Sequence, residues 1–147
     1  MRAITIIGWL ILVICTAAPV AAQRAPEPQA LAAFAERHGL RDVAAFVETV
    51  RSLREARRLP PRYVTKEVAR TRGWYGGGLC EMLPGQAIGG DVFNNFGGKL
   101  PAAAGRTYRE ADLDATCRNR GPKRLVFSSD GLIFVTTDHY NSFTPVP

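Results

Sequence analysis

A carboxylate, an imidazole and a group of cations in the second half of the chain could together cleave a phosphodiester. Glu110 lies within residues 105–112, His139 within residues 137–140, and basic residues occur between them at 120–124. A carboxylate can accept a proton, an imidazole can donate one, and cations can stabilise charge that develops on phosphorus. Each of these residue types is more often structural when taken alone, so the hypothesis requires a fold that brings them together.

Three helices are predicted in the first half of the chain. After a flexible leader over residues 24–29, a short apolar stripe ends at His38-Gly39, since glycine suits a helix C-terminus. The histidine there is interpreted as structural, because a cation is favourable at a helix end. A second helix is predicted over residues 42–58, with an acid at its start and arginines at its end. Thr65 can cap a third helix that runs to Arg72.

Residues 107–113 alternate in the manner of a β-strand. This period of two places Tyr108, Glu110 and Asp112 on one face. The candidate base is therefore predicted on a strand rather than on a loop.

The chain after residue 88 is typical of strands and turns. Residues 125–129 and 132–136 flank Asp130-Gly131, which is a strong hairpin signal, and a last strand is predicted over residues 140–143. Helices followed by strands predict an α+β fold, in which N-terminal helices pack on a C-terminal antiparallel β-sheet.

The first residues of the 147-residue chain resemble a secretory signal. Arg2 precedes an apolar run, and Val20-Ala21-Ala22 supplies the small residues that signal peptidase reads. A membrane anchor is the alternative, and it is disfavoured because the run is short and has no basic flank. The predicted division is a signal peptide at 1–22, a leader with a short extra helix at 23–41, and the main domain at 42–147.

The charge balance is basic. Loss of Arg2 with the signal lowers the net charge from +6 to +5 over the remaining 125 residues. A small, secreted, basic protein is expected to bind an anionic partner such as nucleic acid, acidic lipid or a cell-wall polymer. Ordinary solubilising charge is the alternative.

Two cysteines, Cys80 and Cys117, remain after processing. An even pair in an oxidising compartment predicts a disulfide. Neither cysteine has a close histidine or cysteine partner in sequence, so no metal site and no other cofactor are expected.

From Leu59 to the C-terminus, the order and spacing of many short motifs resemble the barnase-type secreted microbial ribonucleases. The matching stretches are Leu59-Pro60, Tyr63-Val-Thr-Lys66, Gly73-Trp74, Pro84-Gly85, Ile88-Gly-Gly-Asp91, Phe93, Gly98-Lys-Leu-Pro101, Gly105-Arg-Thr-Tyr-Arg-Glu-Ala-Asp112, Arg120, Arg124, Ser128-Ser-Asp130 and Thr137-Asp-His-Tyr140. No single stretch is specific, but the ordered set is. The resemblance implies the microbial ribonuclease fold, with residues 42–147 as the ribonuclease domain.

The resemblance also implies a role for each candidate catalytic residue. Glu110 matches the general base that takes the proton of a ribose 2′-hydroxyl, and His139 matches the general acid that protonates the departing 5′-oxygen. Lys66, Arg120 and Arg124 match the cations that stabilise the transition state. Such a reaction yields a 2′,3′-cyclic phosphate that water then opens, needs no metal, and leaves DNA intact because DNA lacks the attacking hydroxyl.

Base binding is implied for a separate loop. Phe93 and Tyr140 match aromatic residues that stack on an unpaired base, although Phe93 could equally pack in the core. Backbone N–H groups near Asn94, Asn95 and Phe96 match the donors that would meet O6 and N7 of guanine.

The chain departs from the family pattern in this loop. Many members carry Arg-Glu before the Gly-Lys-Leu-Pro stretch, and this chain has Phe96-Gly97. The glutamate that would accept from guanine is therefore missing, and a good bidentate base contact contributes about 1–3 kcal/mol of discrimination. We expect a preference for guanine that is weaker than the family pattern implies.

The expected partner is single-stranded RNA. The resemblance also suggests an acidic protein inhibitor in the producing cell, and we expect a secreted monomer with no membrane contact after signal removal. Two alternatives remain: a non-catalytic basic RNA-binding module on the same scaffold, and a cationic protein that acts on membranes through helix 42–58.

Overall fold

The computed structural model describes residues 27–147, so the predicted signal peptide lies outside the described residues. Helices and strands follow in the order α1 (Glu27–Arg37), α2 (Val43–Ala56), β1 (Tyr63–Val64), α3 (Lys66–Thr71), β2 (Ala87–Phe93), β3 (Tyr108–Asp112), β4 (Arg124–Ser128), β5 (Ile133–Thr136) and β6 (Thr144–Pro145).

The strands form one six-stranded sheet in chain order. β1 pairs with β2 in parallel, and every other neighbouring pair is antiparallel. The predicted α+β fold is confirmed. No helix within residues 27–147 is long and apolar enough to cross a membrane.

The core lies between the first two helices and one face of the sheet. Asp42 caps α2, because its side chain accepts from the Ala45 N–H at 3.0 Å. With its first turn capped in this way, α2 buries Phe46 and Val50 against Leu125 of β4. The complete cluster also contains Leu31, Phe34, Ala35, Leu40, Leu53, Leu113, Ile133 and Val135. Burial of each large apolar side chain stabilises the fold by about 1.5–3 kcal/mol.

The first helix begins earlier than predicted. The leader was predicted to reach residue 29, whereas α1 already begins at Glu27. An acid in the first turn is favoured by the helix dipole, and Pro28 is tolerated there because the first N–H groups have no helical partner. The C-terminal prediction is confirmed, since Gly39 has φ of 64° and the Leu40 N–H donates to the Ala35 carbonyl at 2.9 Å.

The predicted last strand at residues 140–143 is wrong. Tyr140 has φ of 70°, in the left-handed region, so the chain turns there and begins to pair with β5 at Thr144. The turn is held by Asp138, which accepts from the N–H and hydroxyl of Ser142 at 2.9 and 2.6 Å. These local hydrogen bonds replace the strand ladder.

A disulfide joins Cys80 to Cys117, as predicted, with 4.8 Å between their Cα atoms. It fastens the loop after α3 to the loop between β3 and β4. Gly78 lies against the second loop so closely that a Cβ there would be 1.8 Å from the Cys117 carbonyl oxygen. The two loops therefore form one packed unit.

We predict that replacing both cysteines with serine lowers the free energy of unfolding by about 4 kcal/mol, because the bridge closes a loop across a separation of 37 residues. Denaturant titration under oxidising conditions measures the difference. Reductant should destabilise the unaltered protein and leave the double variant unchanged. Equal midpoints for the two oxidised proteins would contradict the prediction.

Candidate active site

Glu110 lies at the middle of β3, opposite Val126 of β4 and Asp91 of β2. Its side chain is 8% exposed. One carboxylate oxygen accepts from Lys66 Nζ at 2.9 Å and the other from the Tyr140 hydroxyl at 2.5 Å. Two donors hold this buried carboxylate in one orientation.

The Tyr140 hydroxyl keeps its proton at neutral pH. Burial first, and then the hydrogen bond to the Glu110 carboxylate, raise the pKa of Tyr140 to about 12. The phenol therefore donates to Glu110. Tyr140 also follows His139 directly, with 4.8 Å between the two ring centroids, so one residue connects the carboxylate to the imidazole.

Lys66 is positioned by the start of α3. Thr65 caps this helix, and Asp91 of β2 accepts from the Lys66 N–H at 3.0 and 3.2 Å. The pairing of β2 with β3 shifts register between Gly89 and Asp91, and such an irregularity re-aims the side chains of a strand. A Cβ at Gly89 would lie 2.6 Å from the Tyr63 ring, so this bend requires glycine.

Two arginines share the second buried carboxylate of β3. Arg120 donates to Asp112 at 2.7 and 2.8 Å, and Arg124 Nε lies 3.0 Å from the same carboxylate. The hydrogen bond to Asp112 raises the pKa of the Arg120 guanidinium, and Glu110 contributes further to the rise. Together with Lys66, three cations face two carboxylates, which leaves a positive excess for an anion.

His139 is exposed and has φ of 55°. Its loop is ordered by Asp138, and Thr136 accepts from the Tyr140 N–H at 3.0 Å. Lys99 adds a second restraint, because its ammonium donates to the carbonyls of Tyr140 and Asn141 at 3.0 and 2.8 Å.

A cleft of about 380 Å³ opens beside Glu110. It is lined by Val92, Phe93, Asn94, Asn95, Phe96, Gly97, Lys99, Glu110, Tyr140 and Phe143. Phe93 stacks on Tyr140 with 5.3 Å between centroids, and Phe96 is 94% exposed. The Asn95 side chain donates to the Leu100 carbonyl at 3.0 Å and accepts from the Leu100 N–H at 3.1 Å, and so shapes the loop itself.

Thus the fold brings Glu110, Lys66 and Tyr140 into direct contact, with Arg120 and Arg124 on the next buried carboxylate of the same strand. The predicted residues at 93–96 line the adjoining cleft. Sequence reasoning missed the contacts of Lys99 and Asp138. Lys99 lies in a recognised motif and Asp138 precedes His139, but spacing alone gives no sign of what either binds.

We predict that the turn carrying His139 loosens in acid as Asp138 is protonated. The Ser142 side chain first, and then its N–H, lower the pKa of Asp138 from 3.8 to about 2. A lowered pKa means that the carboxylate stabilises the fold above pH about 4, and this contribution is lost as pH falls through about 2. The NMR shift of the Ser142 amide should titrate with that midpoint, and Asp138→Asn should abolish the transition. A midpoint near 4 would contradict the prediction.

Known proteins resemble this chain over most of its length. A family model described as ribonuclease matches residues 48–147. The chain is 47% identical over 111 residues to a ribonuclease of Bacillus intermedius and, equally, to one of Bacillus pumilus, covering 74% of this chain and 68% of each relative. It is 51% identical over 92 residues to a ribonuclease of Heyndrickxia coagulans, covering 61% of this chain and 84% of the relative. Because the family match spans more than half of the chain, the chain belongs to the ribonuclease family.

Proposed function

We propose that the protein is an endoribonuclease that cleaves single-stranded RNA by transesterification, with no metal in any step. The observation that carries the proposal is the shared site, in which the buried Glu110 carboxylate accepts from Lys66 and from Tyr140, the neighbour of His139. A general base, a general acid and fixed cations are the parts this reaction requires.

In the first step Glu110 takes the proton of a ribose 2′-hydroxyl. The 2′-oxygen attacks the adjacent phosphorus, and the bond to the 5′-oxygen of the next nucleotide breaks. His139, in its imidazolium form, gives its proton to that oxygen. In the second step water opens the 2′,3′-cyclic phosphate, with His139 as base and Glu110 as acid, which restores both protonation states.

Lys66, Arg120 and Arg124 stabilise the charge that grows on the non-bridging oxygens. Each is already oriented by a carboxylate of β3, so little reorganisation accompanies the reaction. DNA is not a substrate, since it has no 2′-hydroxyl.

The base 5′ to the cleaved bond occupies the cleft, and guanine is its preferred occupant. Phe93, Phe96 and Tyr140 supply stacking surface, and backbone N–H groups over residues 94–96 supply donors. The cleft has glycine at position 97, so the preference rests on stacking and neutral donors and is weaker than a carboxylate would give.

The enzyme acts outside the cytoplasm, because the Cys80–Cys117 bridge is stable in an oxidising compartment. The positive excess around Asp112 also suits an acidic protein inhibitor in the producing cell. We propose that the protein works as a monomer.

We predict that Glu110→Ala and His139→Ala each lower kcat/KM on RNA by about 100-fold or more, because each removes a proton-transfer group. Cleavage of a labelled RNA in EDTA measures the loss, and circular dichroism checks that both variants stay folded. Glu110→Gln keeps the shape of the side chain and should fail equally. His38→Ala, which alters a histidine packed on Phe34, should remain active. An active His139→Ala protein would refute the mechanism.

We predict that Gly97→Glu raises the preference for guanine by roughly 5- to 100-fold, since it restores a carboxylate in the cleft. The position tolerates a side chain, because an added Cβ would meet only the flexible Lys99 side chain, at 3.7 Å or more. Cleavage sites mapped on a mixed-sequence RNA give the preference. Gly97→Gln is the neutral control and should change it far less. An unchanged cleavage pattern in the Glu variant would count against this account of specificity.

A further inference from the structure

The loop after α3 carries an exposed aromatic residue that does not line the base cleft. Tyr75 is 91% exposed and follows the buried Trp74 in the loop after α3. The proposed cleavage reaction leaves this residue without a role. A large, solvent-exposed aromatic beside cations is a stacking surface for a nucleic-acid base.

The base cleft and the two arginines lie toward opposite ends of β3. The base cleft adjoins the Tyr108 end, where Phe93 pairs with Tyr108, and the two arginines bind the Asp112 end. These ends are about 13 Å apart at the usual rise per residue of a strand. Glu110 lies between them, so an RNA strand in the cleft passes its scissile phosphate over Glu110 toward Arg120.

Trp74 connects that end to Tyr75. The Arg120 guanidinium lies 5.7 Å from the centroid of the Trp74 ring. Trp74 Nε1 in turn donates to the Gly77 carbonyl at 3.1 Å, and this bond closes the turn that presents Tyr75. Tyr75 is thus the chain neighbour of the ring that packs on Arg120, and it is not among the residues that line the base cleft.

The loop that carries Tyr75 is fixed in place. The Gly78 N–H donates to the Arg118 carbonyl at 3.1 Å, and the Cys80–Cys117 bridge follows immediately. Because the backbone is already held, stacking on Tyr75 would cost little ordering entropy.

The surroundings of Tyr75 suit a polyanion. Arg72 and Arg118 are exposed, and within residues 27–147 neither side chain forms an ion pair under 4.0 Å. Across residues 72–82 and 115–124 the chain carries five cations and one acid, Glu81. Exposed cations of this kind bind phosphates without reading sequence.

We propose that Tyr75, with Arg72 and Arg118, forms a second nucleotide subsite, which binds the RNA on the leaving side of the scissile phosphate. The inference rests on the proposed ribonuclease function and extends it. Tyr75 stacks on a base there, and the two arginines contact the flanking phosphates, so the enzyme favours chains that continue beyond the cleaved bond.

The test compares two substrates that differ in what lies beyond the phosphate. An RNA tetranucleotide with guanosine at its second position occupies both subsites, whereas guanosine 2′,3′-cyclic phosphate occupies only the base cleft and the catalytic centre. Tyr75→Ala should lower kcat/KM on the tetranucleotide by roughly 5- to 100-fold and change hydrolysis of the cyclic phosphate less than twofold. Tyr75→Phe, which keeps the ring, should restore tetranucleotide cleavage.

Two control variants separate the subsite from other effects. Phe96→Ala, in the base cleft, should lower turnover of both substrates, and Met82→Ala, at another exposed apolar residue of the same region, should lower neither. Equal loss on both substrates in Tyr75→Ala, or no loss on either, overturns the subsite while leaving the ribonuclease function intact. Failure of the unaltered protein to turn over either substrate overturns the proposed function, and the subsite with it.

Discussion

The structure depends on compensating two carboxylates that are buried two residues apart on one strand. Glu110 and Asp112 lie on the same face of β3, with side chains 8% and 1% exposed. Burying a charge without a partner is costly, so each acid requires cations within the fold. Lys66 comes from α3, Arg120 from the loop before β4, and Arg124 from β4 itself. Neutralising the two carboxylates of β3 therefore gathers the candidate phosphate-binding groups in one place.

The same requirement couples stability to the site. Removing one partner of a buried ion pair typically costs about 3–5 kcal/mol, since the remaining charge stays in the interior. Asp112 illustrates the point, because it serves two arginines and lies behind the cleft rather than in it. Its charge holds both guanidiniums in place, which makes it a structural residue on which the candidate chemistry depends.

Loops complete the site, and side chains that bond to backbone hold these loops. Lys99 ties the cleft loop to the His139 turn, Asp138 shapes that turn, and Asp91 fixes the start of α3. Ordered loops on a rigid sheet are a common way to position functional groups. Each of these three segments is restrained by a charged side chain, so the backbone around the exposed His139 still has a defined place.

Regular periodicity made part of this arrangement predictable. The alternation of residues 107–113 placed Tyr108, Glu110 and Asp112 on one face, and Asp130-Gly131 marked the β4–β5 turn; the structure agrees on both points. The features that sequence could not supply depend on which side-chain hydrogen bonds form, between near as well as distant residues. The turn at Tyr140 replaces a predicted strand because Asp138 and Thr136 offer hydrogen bonds that alternation does not register. The start of the ribonuclease domain at residue 42 and the catalytic roles stay predictions.

The disulfide connects the oxidation state of the protein to the geometry of the candidate phosphate site. Cys117 lies three residues before Arg120, and its partner Cys80 follows the loop whose Trp74 packs on that arginine. Asp112 fixes the guanidinium from the sheet side, whereas the bridged loops fix it from the solvent side. Without the bridge, the ion pair with Asp112 persists. The two loops are then held together by the close packing at Gly78 and by the hydrogen bond from the Gly78 N–H to the Arg118 carbonyl. A reduced chain would therefore keep its buried ion pairs but hold Arg120 less firmly, so full order at the candidate phosphate site requires the bridge.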